Sequence, residues 1–138
     1  MKDDQNLQTA YSLTILVAED DPDDQEFLKE ALLRIDPSIR LLSFYTGNSF
    51  LNQLEGMDPA PDMIILDYNI PELNGAELLQ HINGHQHYKS MVKIVWSTSN
   101  SPFYEKACLA LGANAYFVKP SSLQGLMELA KSMLSLIK

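Results

Sequence analysis

The chain has 138 residues, of which 46% are hydrophobic and 20% are charged, and its formal net charge at pH 7 is −8. This size and composition are typical of one globular domain, and the negative charge argues against nucleic acid or an anionic membrane as a partner. One cysteine, Cys108, excludes an internal disulfide and favours a reducing compartment. The acidic N-terminus does not resemble a signal peptide, and no apolar run approaches the ~20 residues of a membrane span, so we expect a soluble, cytoplasmic protein.

Short apolar runs alternate with amphipathic segments along most of the chain. SLTILVA at 12–18 predicts the first strand, and the spacing of apolar residues over 22–35 predicts a helix that Asp21 caps and Pro22 opens. The other predicted strands and helices are, in pairs along the chain, 40–45 and 48–55, 61–67 and 74–82, 92–96 and 101–111, and 113–118 and 121–137. Residues 1–12 show no periodicity and predict a mobile tail, which leaves 13–138 as the domain.

Five strands that alternate with five helices predict a doubly wound, flavodoxin-like α/β fold. We expect a five-stranded parallel sheet in the order 2-1-3-4-5, with helices on both faces. The unbroken apolar run MIIL in the third strand is typical of a strand buried on both faces. In such folds, ligands bind beyond the carboxyl ends of the strands, so these ends are where chemistry is expected.

Polar side chains stand at four of these strand ends. Their residues are, in chain order, Glu19, Asp20, Asp67, Ser97 and Lys119. The predicted strand order brings them together, and hard oxygen ligands without imidazole or thiolate suit Mg²⁺. With Glu19 and Asp20 neutralised by a metal, Asp67 can act as a nucleophile towards phosphorus. Ser97 and Lys119 are then placed to contact the phosphoryl oxygens.

The stretch VAEDDPDD at 17–24 has five carboxylates in six consecutive positions. Its first two acids are the metal candidates of the predicted site. Asp21, Asp23 and Asp24 are predicted instead to cap the following helix and to interact favourably with its dipole.

Four stretches, ILVAEDD, PDMIILDYNIPELNG, IVWSTS and LGANAYFVKP, resemble the receiver domain of bacterial two-component response regulators, the CheY-like family, over essentially all of 13–138. Several motifs in matching order are more specific than one short pattern. The resemblance implies that Asp67 is the phospho-acceptor. It also implies that Asp20 binds Mg²⁺ directly, that Glu19 does so through water, and that Asn69 supplies a backbone carbonyl.

The same resemblance implies a conformational switch. Ser97 would be the switch hydroxyl, Tyr116 the switch aromatic residue and Lys119 the phosphate partner, and the Lys119–Pro120 bond would be cis. Ser97 stands where threonine is commoner, and Trp96 before it is bulkier than the usual aliphatic residue. Neither departure removes an essential group.

The resemblance also predicts how the domain would signal. We expect no output module after the receiver, as in the single-domain receivers that dock on partners or relay phosphate. The expected partners are a histidine kinase or phosphotransfer protein and a downstream protein target, with a homodimer left open. The PDD at 22–24 also resembles stand-alone receivers paired with phytochrome-like or hybrid kinases.

Three other functions remain to be weighed against this one. A haloacid-dehalogenase-type phosphatase needs an acid two residues after the nucleophile, where this chain has Asn69. A flavin binder needs a phosphate cradle after the first strand, where this chain is acidic. A pseudo-receiver, which binds partners without taking up phosphate, stays open. The histidines of HINGHQH, His81, His85 and His87, are interpreted as loop residues rather than as a metal site.

Overall fold

The computed structural model describes residues 11–137. In this part of the chain the elements are, in order, β1 (Thr14–Ala18), α1 (Pro22–Ile35), β2 (Arg40–Phe44), α2 (Gly47–Glu55), β3 (Met63–Asp67), α3 (Gly75–Ile82), β4 (Val92–Ser97), α4 (Pro102–Ala110), β5 (Ala115–Val118) and α5 (Leu123–Leu134), with a short 3-10 helix at Gln86–Tyr88. The strands form one parallel sheet in the order β2-β1-β3-β4-β5. The predicted flavodoxin-like fold is therefore confirmed.

The core lies on both faces of this sheet, and β3 shows how one strand supplies both sides. Successive side chains of a strand point to opposite faces. Ile64 and Leu66 accordingly join the cluster beneath α2, α3 and α4, whereas Met63 and Ile65 join the cluster beneath α1 and α5. All five residues of β3 are buried, as its unbroken apolar run predicts.

Side-chain caps fix where the helices begin. Asp21 Oδ1 accepts hydrogen bonds from the backbone N–H groups of Asp23 and Asp24, at 2.8 and 3.1 Å, and Pro22 opens α1. Ser101 caps α4 by accepting a bond from the N–H of Tyr104. The predicted cap of α1 is confirmed, and α1 begins directly beyond the end of β1.

A close backbone contact joins the loop after β2 to the loop after β3. The N–H of Gly47 donates to the carbonyl of Pro71 at 2.9 Å. A Cβ atom on Gly47 would lie 2.4 Å from the carbonyl oxygen of Leu73, so only glycine fits there without a shift of the backbone. Gly75, whose Cβ would lie 3.1 Å from the Asp67 carbonyl oxygen, allows α3 to begin close to the end of β3.

Two details differ from the sequence-based expectations. The Lys119–Pro120 bond, expected to be cis, is trans. Among the described residues, the only cis peptide bond is Asp58–Pro59. Trans is the favoured form of an X–Pro bond, and Lys119 reaches its acidic partners with it. Ser12, assigned to the tail, donates its N–H to the carbonyl of Ser38 at 3.1 Å. Residues 1–10 of the predicted tail lie outside the described residues.

No helix within residues 11–137 combines the length and the hydropathy that a membrane crossing requires.

Candidate functional site

Three carboxylates meet at the carboxyl edge of the sheet. Glu19 and Asp20 follow β1, Asp67 ends β3, and these two strands are neighbours with Ala18 opposite Leu66. One oxygen of each carboxylate lies within 4.8 Å of the others, a spacing that could hold a metal ion. Glu19 is completely buried and Asp67 is only 5% exposed, whereas Asp20 faces solvent.

The backbone of Glu19 is held in place by a buried amide. Gln25 Nε2 donates to the carbonyl of Glu19 at 3.0 Å and to that of Phe44 at 3.1 Å. The N–H of Glu19 in turn donates to the carbonyl of Phe44. These bonds tie the end of β1 to the end of β2 and to the first turn of α1, and so orient Glu19 inward.

Lys119 is the cation at this edge of the sheet. It follows β5, and its N–H donates to the carbonyl of Ser97 at 2.7 Å, which places it beside the end of β4. Its Nζ lies 2.7 Å from Glu19 Oε1, 3.0 Å from Asp24 Oδ2 and 3.6 Å from Asp67 Oδ2. Burial acts to lower the pKa of Lys119, but the carboxylates of Glu19 and Asp24 outweigh it and hold that pKa above the usual lysine value.

Glu19 carries the strongest electrostatic conflict of the site. Burial raises the pKa of Glu19 to about 7, and the charge of Asp67 adds to the rise, against the contacts with Lys119 and the Asp21 N–H that oppose it. Within the described residues, Glu19 Oε1 accepts no aligned hydrogen bond. The Lys119 ammonium, 2.7 Å from Glu19 Oε1, offsets only part of the negative charge of the three carboxylates, and the remaining charge fits a hard divalent cation with oxygen ligands. The donor set thus suits the metal that the sequence predicts.

The remaining predicted residues surround this centre. Asn69 is exposed, and its N–H donates to Asp67 Oδ1 at 3.2 Å. Ser97 is completely buried at the end of β4, which is adjacent to β3, and its Oγ accepts a bond from the N–H of Ser99 at 3.1 Å. Tyr116 is partly buried, and its hydroxyl donates to the carbonyl of Ser99 at 2.9 Å. The side chains of Ser97 and Tyr116 therefore both bind the backbone of Ser99, which lies directly after β4.

Sequence reasoning missed two neighbours of Lys119. Asp24, expected only to favour the dipole of α1, has its carboxylate on the ammonium. The indole ring of Trp96 lies under the same ammonium, with Nζ 4.9 Å from the ring centroid. Asp24 and Lys119 are 95 residues apart, and two strands separate β1 from β5 in the sheet, so the sequence gives no signal for this contact.

The histidines of HINGHQH do not form a common site. Helix α3 ends at Ile82, between His81, which is helical, and His85, which is not. His87 lies in the 3-10 helix, and its Nε2 contacts the carbonyl of Met57 at 2.9 Å. The predicted end of the helix is confirmed, although His81 belongs to α3 rather than to the loop.

Fold and site together define a class of protein: a doubly wound α/β domain with an acidic group and a lysine at the carboxyl edge of its sheet. The model of the response regulator receiver domain matches residues 15–131, and the chain belongs to that family. The domain is thus of the kind used in two-component systems, as the resemblance of its four motifs predicts.

Curated relatives match over part of their length. The two-component response regulator ORR1 of rice (Oryza sativa subsp. indica) is 36% identical over 77 residues, which are 56% of this chain and 33% of that protein. The DNA-binding transcriptional activator EvgA of Escherichia coli K12 is 27% identical over 115 residues, 83% of this chain and 54% of that protein. The chain thus spans about a third to a half of these relatives.

Solved structures match over nearly their whole length. The phosphorylated cyanobacterial phytochrome response regulator RcpA superposes with a TM-score of 0.82 at 25% identity, covering 91% of this chain and 93% of that one. The Mn²⁺-bound response regulator Rcp1 gives 0.79 at 26%, covering 89% and 92%. Response regulator RPA3017, from red light signalling of R. palustris, gives 0.79 at 29%, covering 90% and 92%.

Proposed function

We propose that this receiver accepts a phosphoryl group on Asp67 from the phosphohistidine of a histidine kinase or phosphotransfer protein. The observation that carries the proposal is the setting of Asp67: a buried carboxylate with an ammonium 3.6 Å away and two further carboxylates grouped around it. Such a setting supplies a positive charge beside the acceptor and a group of carboxylates that can bind a cation. Both stabilise the charge on a phosphoryl group during transfer.

The transfer needs no reagent besides the phosphohistidine donor and Asp67. An oxygen of the Asp67 carboxylate forms a bond to phosphorus while the P–N bond of the donor phosphohistidine breaks. The electron pair of that bond stays on the imidazole nitrogen, and Asp67 becomes an acyl phosphate. Lys119 stabilises charge on the phosphoryl oxygens, and hydrolysis by water later returns the carboxylate. The domain thus modifies itself and turns over no separate substrate.

A divalent cation, Mg²⁺ in this proposal, would be held by Glu19, Asp20, Asp67 and the backbone carbonyl of Asn69. When bound, it neutralises the crowded carboxylates and draws charge from the phosphoryl oxygens. The Mn²⁺-bound form of Rcp1 supports a divalent cation in a domain of this fold.

The switch would use Ser97 and Tyr116. In the described structure, the Ser97 hydroxyl is held by the N–H of Ser99 and the Tyr116 hydroxyl by the carbonyl of the same residue. A Ser97 that turns to the acyl phosphate releases that segment, and Tyr116 is then free to change position. Phosphorylation biases an existing equilibrium between the two arrangements, which alters the surface of α4, β5 and α5 and its affinity for a downstream protein.

The upstream donor is proposed from similarity. RcpA is a phytochrome response regulator, and RPA3017 belongs to red light signalling. A phytochrome-type histidine kinase is therefore the first donor to test, with the receiver acting as a free-standing unit.

Intact mass spectrometry tests the proposal. The protein is incubated with acetyl phosphate, with Mg²⁺ and with EDTA, beside Asp67→Asn and the control Asp62→Asn, which removes an acid at the opposite end of β3. We expect one added phosphoryl group in the wild type and in Asp62→Asn with Mg²⁺ only, and none in Asp67→Asn. A wild type that takes up no phosphoryl group from acetyl phosphate or from a phosphorylated kinase would identify a pseudo-receiver instead.

A further inference from the structure

Lys119 is shared between the acceptor and a residue outside the acidic group. We propose that Asp24 is a positioning residue that holds the Lys119 ammonium towards α1 in the unphosphorylated domain and yields it to the phosphoryl group on Asp67. The exchange takes place over the indole ring of Trp96. The inference rests on the proposed function. It adds that Asp24 controls how readily Lys119 contacts the phosphoryl oxygens on Asp67.

The distances around the ammonium carry the first step. Nζ is in hydrogen-bond range of Asp24 Oδ2, at 3.0 Å, and lies 2.7 Å from Glu19 Oε1, but it is 3.6 Å from Asp67 Oδ2. An ammonium has three donors in a compact head. New phosphoryl oxygens on Asp67 therefore compete with Asp24 and Glu19 for the same donors.

Burial distinguishes the two competitors. Glu19 is completely buried and its backbone is fixed, so it stays beside Lys119 whatever the state of Asp67. The Asp24 side chain is 35% exposed, so its carboxylate can be solvated when the ammonium leaves. A partly exposed ion pair of this kind is weak enough to be exchanged. Asp24 is thus the partner that gives way.

Trp96 and a cavity beside it leave room for the exchange. Trp96 is 2% exposed, and its ring faces Nζ at 4.9 Å, a favourable arrangement for a cation over an aromatic face. A cavity of about 240 Å³ is lined by Asp24, Phe27, Trp96, Lys119 and Leu123, among others. The cavity borders Asp24 and Lys119, so the Asp24 carboxylate has space to turn into when the ammonium moves towards Asp67.

The chain offers a matched control for Asp24. Asp23 lies in the same first turn of α1 and is exposed. Asp23→Asn and Asp24→Asn each remove one negative charge from that turn, and only the second removes the contact with Lys119. The emission of Trp96, the single tryptophan of the chain, reports on the charge above its ring.

Two readouts test the inference on these variants and the wild type. The first is the rate of phosphorylation by acetyl phosphate with Mg²⁺, followed by intact mass. We expect Asp24→Asn to be about two- to fivefold faster than Asp23→Asn, the factor that the loss of a partly exposed ion pair allows. The second is tryptophan emission, which should change in the wild type when Mg²⁺ and beryllium fluoride, a phosphoryl mimic, are added. Asp24→Asn should show the shifted emission before any addition.

Asp24→Glu keeps the carboxylate and is expected to return both readouts towards the wild type, which a merely structural role of Asp24 would not predict. Equal behaviour of the two Asn variants in either readout overturns the inference. A wild type that takes up no phosphoryl group contradicts the proposed function itself. In that case, emission of the unphosphorylated variants still shows separately whether Asp24 holds Lys119.

Discussion

At the scale of single residues, the site is defined by buried charge with one compensating cation. Glu19 and Asp67 are buried, and Lys119, whose side chain is 11% exposed, is within 3.6 Å of both. Buried ion pairs contribute little net stability, but removing one partner leaves an uncompensated charge. The stability of the metal-free domain should therefore depend on Lys119.

Lys119→Ala tests this dependence. In EDTA we expect it to lower the free energy of unfolding by on the order of 3 kcal/mol, because two buried carboxylates lose their counter-charge. Lys131→Ala, an exposed lysine of α5, is the control and should change stability little. Added Mg²⁺ should restore part of the loss, since a cation at the acidic group replaces the ammonium. Equal urea denaturation curves for both variants would contradict this.

Asp36 provides a pH-dependent prediction away from the site. Hydrogen bonds from Ser38 and Ser12 lower the pKa of Asp36 below the usual aspartate value. A carboxylate with a lowered pKa in the folded state stabilises the fold above its unfolded pKa, and this contribution is lost as the pH falls through the folded pKa. Asp36→Asn should therefore lower the melting temperature at pH 7, and the difference should shrink in acid below the usual aspartate range. A difference in melting temperature that stays constant from pH 7 into acid would contradict this account.

At the scale of elements, the loops after β2 and β3 are held together at Gly47. A methyl group there would lie 2.4 Å from the Leu73 carbonyl oxygen and 2.6 Å from its Cβ, both of which belong to a fixed loop. At Gly56, which ends α2, the nearest atom would be 3.7 Å away.

Gly47→Ala should consequently destabilise the fold by about 1–3 kcal/mol, the usual range for overpacking. Gly56→Ala should be nearly neutral, because it adds no clash and its backbone conformation suits alanine. Thermal or urea unfolding of the two variants measures the contrast. Similar losses would mean that the two loops are not in close contact.

The elements themselves could be predicted because each has its own pattern. The alternation of apolar runs with capped amphipathic segments indicates every described strand and α-helix but not the 3-10 helix at Gln86–Tyr88, and Asp21 and Ser101 mark two helix starts correctly. Element ends were less predictable: β1 begins at Thr14 rather than at 12, and α5 ends at Leu134 rather than at 137. Hydrogen bonding to neighbouring elements decides these ends, and local sequence does not show it.

At the scale of the whole molecule, Cys108 is a reporter of global opening. It is completely buried in the core, and burial raises the pKa of its thiol to about 11. At pH 8 the thiolate that reacts with alkylating agents is therefore scarce as well as shielded. We expect iodoacetamide to label the native protein very slowly, and the labelling to increase steeply through the urea transition. Fast labelling of the native protein would show local opening near α4.

Assembly of the site also belongs to this scale, and it could be predicted in part. Strand order and strand-end residues are enough to bring Glu19, Asp20 and Asp67 together, because parallel strands present their carboxyl ends at one edge. The contact between Asp24 and Lys119 could not be anticipated, since it depends on how α1 and β5 lie against each other. The cis form expected for the Lys119–Pro120 bond rests on the family resemblance, and the structure has the trans form.

The central claim is that Asp67 carries the phosphoryl group, and chemical trapping tests it most directly. The protein is phosphorylated with acetyl phosphate and Mg²⁺ and treated with borohydride, which reduces an aspartyl phosphate to homoserine. Peptide mass spectrometry then locates the altered residue. Homoserine at position 67, absent without phosphorylation, is the result we predict. Conversion at Asp20 or another acid, or no conversion in a protein that has gained phosphate, would contradict the account.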